Sequence, residues 1–457
     1  MTANPSRLRA RMLLGCAFAA LTLAGFGGRA DAQGFNASPA VVAGSVTFDR
    51  TPGLDTITIN SPSAIIDWRL TFSPPAPDPI VFLPAGNTGI FQNAPGGGDF
   101  AVLNRILPVG ASRIRMDGTV IGRLQTAAGN VPGGTVVFYS PTGLIIGSSA
   151  VFDVGRLLLT TLNPAVDASG NFFTAGTFQL NGGQFPPASI VTEAGARFNA
   201  PADGSWVAMV APRIDHGGAV RVNGSAAYVA AEAVSIRIDQ GLFDIDIQVG
   251  TSDSNPIVHR GTTSGPASSG AGDNHVIYLA AAPQNNPMTL LLAGSAGFDA
   301  AVSASVENGA IVLSAGHDVQ GRAISEVPEG IPSGDFLIRS GTYTSDVFGR
   351  ASQDFIVGDA VPGGVVFEQD LSIAARRLAM LTADEGYSLR VGGSATVSAA
   401  NLRPVPVDLV TIDVAGGEAA IFAANGGTIA IGGNATVDAS ARGATDGTGV
   451  AGRGSGG

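Results

Sequence analysis

The amino-acid sequence predicts an all-β fold in which the chain winds as a solenoid and each turn pairs its strands with the turns on either side. Helix patterns are scarce, because Gly, Asn, Asp or Pro interrupts nearly every window within about ten residues. Strand patterns rich in β-branched or aromatic residues occur along the whole chain, for example at 43–48, 56–59, 135–139, 206–210 and 310–314. A repeat favours the solenoid over a β-sandwich, the all-β alternative, whose hairpins also give short strands between turns.

The repeat is clearest near the C-terminus, where residues 389–399 return as 429–439 at an offset of 40 residues. In both copies apolar residues alternate on either side of a Gly-Gly pair, which predicts two inward-facing strands joined by a bend. Weaker copies of this strand-turn-strand form lie at 219–230 and 302–313. At about 20 residues per coil and about 4.8 Å between paired strands, the chain would form a rod about 100 Å long.

Residues 1–32 have the three parts of a secretory signal peptide. An apolar run at 12–26 follows a positive start, and Ala30-Asp31-Ala32 offers the small-x-small pattern that a signal peptidase requires. The positive start consists of Arg7, Arg9 and Arg11. We therefore expect the mature chain to begin at Gln33.

Cys16 is the only cysteine, and removal of the signal removes it. Although the destination permits disulfides, the mature chain has none to form, so backbone pairing and packing must supply its stability. The segment 13–16 also looks like a lipobox, but a lipoprotein signal places its apolar run before the cysteine, and here most of that run follows it.

The composition indicates a folded protein without a nucleic-acid footprint. Hydrophobic residues make up 45%, which is enough to fill a core despite 64 glycines. Charged residues are only 13% and the net charge is -11, so neither nucleic acid nor anionic lipid is an expected partner. After the signal, no apolar run approaches the roughly 20 residues of a membrane-spanning helix.

From Gln33 to about residue 161 the order of motifs resembles the N-terminal secretion domain of filamentous-haemagglutinin-like exoproteins, the secreted partners of two-partner secretion systems. Residues 66–72 resemble the family's I-x-W-x-x-F segment, with one additional residue between Trp68 and Phe72. Residues 102–106 resemble its Leu-Asn-Arg-Val signature, and 114–121 its I-x-G-x-(I/L) element.

The most diagnostic stretch of the family, Asn-Pro-Asn-Gly-Ile-x-Phe-Gly, is similar to residues 140–147. Its proline and two glycines keep their places, whereas Ser140 and Thr142 replace both asparagines; Ser and Thr can make similar local turn contacts. Residues 150–157 and 206–214 resemble two later segments of the family.

This resemblance implies a right-handed parallel β-helix with an N-terminal cap and some antiparallel extra strands. It implies a two-partner secretion (haemagglutination activity) domain at 33–285 and a β-helix repeat region at 286–457. The protein would be a secreted or surface-exposed adhesin of a Gram-negative bacterium, exported through the periplasm. Its partners would be an outer-membrane transporter of the TpsB type and surface glycans or proteins of host or bacterial cells.

The motifs give the candidate site residues, which would form the transporter-recognition or cap motif. They are Trp68, Asn104, Arg105, Ser140, Pro141, Thr142 and Gly143. A structural role within the N-terminal cap is an equally good interpretation of Trp68, Arg105 and Asp117.

A secreted β-helical polysaccharide lyase or hydrolase is the alternative function; such a site needs clustered carboxylates, often with calcium, plus a basic residue on one face of neighbouring coils. Asp244 and Asp246 are the best local pair, but solvated strand positions explain them better. The four histidines, at positions 216, 259, 275 and 317, have no metal-like spacing. We therefore expect no enzyme activity, cofactor or metal.

A third alternative is the passenger of a one-chain autotransporter, which would end in a membrane barrel of amphipathic strands. Residues 441–457 are rich in glycine and poor in apolar side chains, and they contain no such strand pattern. We therefore expect either that the chain is truncated within a longer solenoid or that it closes without a barrel.

Overall fold

A computed structural model describes most of the chain from Gln33 onward. The described residues are 33–70, 77–108, 110–182, 188–268, 274–284, 288–303, 306, 308–325, 334–358, 364–399, 414–415, 418–424, 427–439 and 454–455. The signal-peptide prediction, Phe72 and most of the glycine-rich tail lie outside them. No helix long and apolar enough to cross a membrane occurs in these ranges.

The chain forms a parallel β-helix whose strands stack into three ladders. Ladder 1 contains β5 (Ile80–Leu83), β8 (Ile114–Met116), β12 (Leu144–Ile146), β17 (Ser189–Thr192), β19 (Arg213–His216), β23 (Ile257–His259), β26 (Met288–Leu292), β31 (Gly334–Ile338), β34 (Asp354–Val357), β37 (Leu378–Ala383) and β41 (Glu418–Ala423). Ladder 2 contains β3 (Leu54–Ile59), β6 (Thr88–Asn93), β9 (Thr119–Thr126), β13 (Val151–Asp153), β24 (Thr262–Gly265), β27 (Ser295–Phe298), β32 (Gly341–Tyr343), β35 (Gly364–Phe367), β38 (Ser388–Val391) and β42 (Thr428–Ile431).

Ladder 3 contains β4 (Ser63–Leu70), β7 (Ala101–Ile106), β11 (Thr135–Tyr139), β14 (Arg156–Thr160), β25 (Val276–Ala281), β28 (Ala310–Ala315), β33 (Asp346–Ala351), β36 (Leu371–Ala375), β39 (Ala395–Ser398) and β43 (Ala435–Asp438). Two long strands, β18 (Arg197–Ala211) and β20 (Ala219–Ala230), run through the corner and belong to ladders 2 and 3. Each coil passes from ladder 1 to ladder 2 to ladder 3, and crossovers of this kind between parallel strands are right-handed in almost all proteins.

The predicted 40-residue repeat is one coil. Leu389 lies in register with Ile429, and Ala395 with Ala435. Other coils differ in length, because some have insertions between their strands that lie outside the winding. The coil from Phe336 to its partner Phe355 is short, whereas the coil from Ala226 to its partner Ile277 is long. In the part of the chain that the structure describes, ladder 3 therefore stacks twelve strands over about 53 Å, so the expected length of about 100 Å, which assumed uniform short coils, is too long for these residues.

Two strand predictions need correction. The strand expected at 43–48 is interrupted, because Gly44 turns the chain with a φ of 78° between β1 (Ala37–Ala43) and β2 (Val46–Thr51). The described part of 302–306 is not a strand, and Val302 is 92% exposed. The expected domain boundary between 285 and 286 stays a prediction, with β23 and β26 paired across it.

Antiparallel strands occur in two places around the winding, as expected. At the N-terminal end β1 pairs with β4 and β2 with β3, while β10 (Gly129–Pro132) pairs with β9. Outside ladder 3 lies a sheet of six strands, which we call the outer sheet: β15 (Asn163–Pro164), β16 (Thr177–Asn181), β21 (Ala233–Asp239), β22 (Leu242–Val249), β29 (Val319–Gln320) and β30 (Ala323–Ile324). A short separate pair, which is parallel, joins β40 (Val414–Ala415) and β44 (Gly454–Ser455).

The molecule has two hydrophobic cores. The main core fills the interior of the winding with the inward residues of all three ladders, from Phe35 to Ala399. The second core lies between the outward face of ladder 3 and the outer sheet, where Phe178, Trp206 and Tyr278 are buried. Ladder 3 is therefore buried on both faces over much of its length, as its nearly continuous apolar strands require.

Candidate functional site

The predicted site residues lie in consecutive coils at the N-terminal end of ladder 3. Trp68 lies in β4, Asn104 and Arg105 lie in β7, and residues 140–143 form the corner that leads from β11 to β12. Asn104 is in register with Phe138 of β11, two residues before that corner begins. The fold therefore brings the three motif segments together on neighbouring strands.

Trp68 and Asn104 form a buried polar connection across the first strands of ladder 3. Trp68 Nε1 donates to Asn104 Oδ1 at 3.0 Å, and Asn104 Nδ2 donates to the Val137 carbonyl at 3.2 Å. Asn104 occupies an inward column between Ile66 and Phe138 and is fully buried. A buried amide without partners is costly, so these bonds fix the positions of three strands relative to one another.

Trp68 is also part of an aromatic cluster at the N-terminal end of the main core. Its ring centroid lies 4.9 Å from that of Phe35, 5.5 Å from that of Phe82 and 6.2 Å from that of Phe48. Such contacts between rings add to the energy of their burial. Among the described residues, which begin at Gln33, the cluster fills the N-terminal end of the main core.

Arg105 points outward from the same strand. Its Nε donates to Asp67 Oδ1 at 2.6 Å, and both side chains are about one-quarter exposed. Next to it in the ladder, burial raises the pKa of Tyr139, and the nearby positive charge of Arg105 partly opposes this shift. Arg105 is thus the charged member of the predicted site residues, and its side chain is partly exposed to solvent.

The corner at 140–143 is bonded to the coils on both sides. Ser140 N donates to the Thr160 carbonyl at 3.2 Å, and Thr142 Oγ1 donates to the Ser112 carbonyl at 2.7 Å. The hydroxyls of Ser140 and Thr142 lie 3.3 Å apart. Ser140 and Thr142 thus make hydrogen bonds within this corner and to the coils beside it, while their equivalence to the family's asparagines stays a prediction.

The motif requires glycine at positions 143 and 147 for two different structural reasons. Gly143 has a φ of 114°, a conformation that L-residues with a side chain rarely adopt. A Cβ at Gly147 would lie 1.7 Å from Asp117 Oδ1, because an ion-pair network occupies that space. Pro141 precedes them at a half-buried position of the corner.

The network beside Gly147 joins three coils. Arg115 Nε donates to Asp117 at 2.9 Å, and Arg115 Nη1 and Nη2 donate to the two carboxylate oxygens of Glu193 at 2.7 and 2.9 Å. The hydrogen bonds from Arg115 lower the pKa of Glu193 and raise that of Arg115 above its usual range. Asp117 is therefore a structural member of the motif coils.

Sequence reasoning missed another buried polar group, formed by Arg50 and Asp55. Asp55 is fully buried and accepts hydrogen bonds from the backbone N–H groups of Gly34 and Phe35 at 3.1 and 2.9 Å. The sequence contained a signal for this group, because Asp55, Ile57 and Ile59 occupy every second position of β3. All three therefore point to the same, inward side of the strand. An acid in phase with core residues indicates a buried partner.

Asp244 and Asp246, the carboxylates of the enzyme alternative, lie in β22 of the outer sheet. Asp244 forms an ion pair with Arg237 at 3.3 Å and accepts a hydrogen bond from Gly321 N at 3.1 Å. Asp246 is exposed, and the residue between them, Ile245, is buried. Across the described ranges, no three His, Cys, Asp or Glu side chains are grouped so that they could hold a metal ion.

All four histidines are buried, and two of them meet inside the winding. His216 and His259 are in register on ladder 1, and their ring centroids lie 4.9 Å apart. Thr192 Oγ1 lies 2.8 Å from His216 Nδ1, and Thr263 Oγ1 lies 2.9 Å from His259 Nε2. Burial lowers the pKa of His216 to about 4 and lowers that of His259 well below its ordinary value.

No protein-family model matches the chain, and no curated protein is similar to it. Among solved structures, the HMW1 secretion domain from Haemophilus influenzae is 13% identical over 87% of this chain and 99% of its own, with a TM-score of 0.39. The filamentous hemagglutinin secretion domain is 13% identical over 88% of this chain and 99% of its own, with a TM-score of 0.37. These two solved structures are both secretion domains, and the chain is similar to them at low identity and TM-score.

Proposed function

We propose that this chain is a secreted or surface-exposed adhesin-type structural protein of a Gram-negative bacterium, exported by two-partner secretion after removal of residues 1–32. Residues 33–285 act as the secretion domain, which an outer-membrane transporter of the TpsB type recognises in the periplasm. Residues 286–457 extend the β-helix, and the finished surface binds glycans or proteins of other cells.

The observation that carries this proposal is that the family motifs coincide with the bonds between the first coils. Trp68 and Asn104 bond β4, β7 and β11 together, and residues 140–147 join their coil to both neighbours. In a domain that must start a winding, these are the contacts on which all later coils depend.

The burial of the predicted site residues limits the stage of folding at which a transporter could contact them. Trp68, Asn104, Ser140 and Thr142 are at most 8% exposed in the folded chain. We infer that the transporter meets them before the first coils have closed. Arg105 and Pro141 are the members of the set that stay partly accessible after folding.

We also propose that the chain passes through the transporter unfolded, and a single disulfide can test this. The mature chain has no cysteine, and Thr396 and Thr436 are in register on adjacent strands of ladder 3, at a separation that a disulfide can span. We expect Thr396→Cys/Thr436→Cys to accumulate in the periplasm of cells that carry the transporter, and added reductant to restore secretion. Equal secretion of the oxidised double variant would contradict the proposal.

Two controls complete this experiment. Thr396→Cys alone has no partner thiol and should be secreted like the parent. Omission of the transporter should retain every variant in the periplasm, and release without it would show a different route.

Adhesion is tested separately by measuring the binding of the purified protein to erythrocytes and to bacterial cells. If the protein does not bind these cells at micromolar concentration, the proposal that it is an adhesin is wrong.

A further inference from the structure

A column of aliphatic side chains runs along the outward face of the later strands of ladder 1. Its members lie in register on the successive strands β23, β26, β31, β34 and β37, and we call them the apolar strip. Val258 is 4% exposed, and the others are partly exposed. The members are Val258, Leu291, Leu337, Ile356 and Met380.

The outward positions of ladder 2 in the same coils are mostly polar. On β24, β27, β32, β35 and β38 they are Thr262, Ser295, Thr342, Val366 and Arg390. Val366 is the apolar exception, and it stands between Thr342 and Arg390. The coils themselves therefore do not require aliphatic residues on the outside, and the apolar strip is a feature of ladder 1.

The apolar strip belongs to neither hydrophobic core. Among the described residues, the main core takes the inward side chains of ladder 1, and the second core lies between ladder 3 and the outer sheet. On ladder 3 the outward residues are apolar where the outer sheet packs on them. An outward column of large aliphatic side chains without such a cover indicates a surface that a partner buries.

Charged side chains of opposite sign stand on the two sides of the strip at β31. Asp335 lies two residues before Leu337, on the side where the strands begin, and Arg339 lies two residues after it. Alternate residues of a strand point the same way, so both positions face outward beside Leu337. The strip therefore has an acidic edge and a basic edge in the same coil.

We propose that the apolar strip is the contact between two copies of this chain, related by a two-fold axis that runs along the stack of coils beside Leu337. This axis lays the strip of one copy on that of the other and brings Asp335 next to the second copy's Arg339. A two-fold axis along the strands would instead bring Asp335 next to its own counterpart, and like charges in contact destabilise an interface. The charges thus fit a second copy in one orientation.

The size of the strip sets the expected strength of this contact. Its five strands are separated by four spacings of about 4.8 Å, which makes the strip about 19 Å long. Each partner of a stable dimer buries about 800 Å², and a strip one strand wide is smaller than this. We therefore expect a dimer that dissociates on dilution, with a Kd in the micromolar range.

The test is sedimentation velocity of the purified chain from Gln33 to Gly457 over a range of concentrations up to about 200 μM, which covers weak dimers. Leu337→Glu should raise the Kd at least about a hundredfold, because two carboxylates would meet at the axis. The matched control is Val366→Glu, at a partly exposed outward position of ladder 2, which should dimerise like the parent.

A second pair of variants tests the orientation. Asp335→Arg and Arg339→Asp should each dimerise more weakly than the parent, because each places like charges on both edges of the strip. An equimolar mixture of the two variants should form a heterodimer, since every edge then meets one of opposite charge. Urea denaturation of each variant shows that it is folded.

Three results would show that the inference is wrong. The parent could remain a monomer at the highest concentration, or Leu337→Glu could dimerise like the parent. Leu337→Glu could also unfold at a much lower urea concentration than Val366→Glu, which would mean that another part of the same chain covers the strip. Folded charge variants that give no heterodimer would exclude the proposed axis. The experiment uses neither transporter nor target cells, so its outcome is independent of the proposed export and adhesion.

Discussion

One outward column of ladder 3 changes its chemistry along the molecule. From β4 to β28 its members are Ile65, Leu103, Val137, Leu158, Ala208, Ala227, Tyr278 and Val312, all at most 2% exposed. From β33 to β43 the same column continues as Phe348, Ser372, Thr396 and Thr436, which are partly or fully exposed. We call these the covered and the uncovered segments.

This difference shows that a neighbouring sheet, and not the β-helix itself, determines whether the outward residues of a strand are buried and apolar or exposed and polar. Both segments have the same parallel pairing and the same apolar inward side. The outer sheet packs on the covered segment with Phe178, Val234 and Phe243, and among the described residues no outer-sheet strand follows β30. Phe348, 38% exposed, stands at the border. A solenoid strand can therefore be apolar on both faces or alternate, depending on what lies outside it.

The largest effect should come from a charge placed in the covered column. We expect Val137→Asp to lower the free energy of unfolding by about 4 kcal/mol, because the carboxylate is buried between two sheets without a partner. Thr396→Asp, at the same column in the uncovered segment, should change it by less than about 0.5 kcal/mol. Urea denaturation of both variants measures the contrast, and equal effects would remove the distinction between the segments.

The next effect tests the outer sheet itself. Phe178→Ala should cost about 3 to 4 kcal/mol, because the ring is 1% exposed and its centroid lies 4.3 Å from that of Phe173 and 5.9 Å from that of Trp206. Phe348→Ala should cost about 1 kcal/mol or less, since its ring is partly in water. Thermal denaturation of the two variants compares them. A larger loss of stability for Phe348→Ala than expected would mean that another part of the protein packs on the uncovered segment as well.

Acid should separate the segments as well, because every histidine lies between residues 216 and 317. The folded-state pKa of His216 is about 4, below the unfolded value of about 6.5, so its contribution to stability is complete above pH 6.5 and is lost as the pH falls towards 4. The loss amounts to about 3 kcal/mol for this residue. Hydrogen exchange at pH 7.5 and 4.5 should show β19 to β25 opening before β33 to β39.

The control for this prediction is His216→Leu, which removes the titrating ring from the core. Its unfolding free energy should depend less on pH between 6.5 and 4 than that of the parent. If the parent and the variant show the same pH dependence, the buried His216 ring does not determine acid stability.

The smallest effect concerns the polar connection inside the covered segment. Trp68→Phe should cost about 1 to 2 kcal/mol, because Asn104 loses the indole N–H and remains buried. The double variant Trp68→Phe/Asn104→Leu should recover part of this loss, since no amide is then left without a partner. Urea denaturation of the single and double variants measures the coupling, and strictly additive losses would show that the hydrogen bond contributes nothing.

Several features could be predicted from the sequence because they depend on local chemistry. The alternation around Gly392-Gly393 and Gly432-Gly433 placed β38, β39, β42 and β43 in the right pairs at an offset of 40 residues. Residues 135–139 were predicted as a strand and form β11 with the same bounds. In the candidate site, each motif could be recognised from its own short stretch of sequence, whereas the structure alone places Trp68, Asn104 and the 140–143 corner on neighbouring strands. What could be predicted in each case depends on a pattern within a few neighbouring residues.

Other features could not be predicted, because they depend on partners far apart in the chain. Gly147 is glycine because of Arg115, Asp117 and Glu193, and the last of these is 46 residues away. The uneven coil lengths, which made the predicted rod too long, depend on which insertions pair to form the outer sheet.

The sequence by itself determined that this chain winds as stacked short strands with an apolar interior, since alternation and turn residues specify which side chains point inward. Only the tertiary structure decided which outward residues are buried, which coil meets which, and that Asp55 holds the start of the mature chain. These depend on contacts between distant segments, and their energy is realised only when the coils have stacked and the desolvated groups have found their partners.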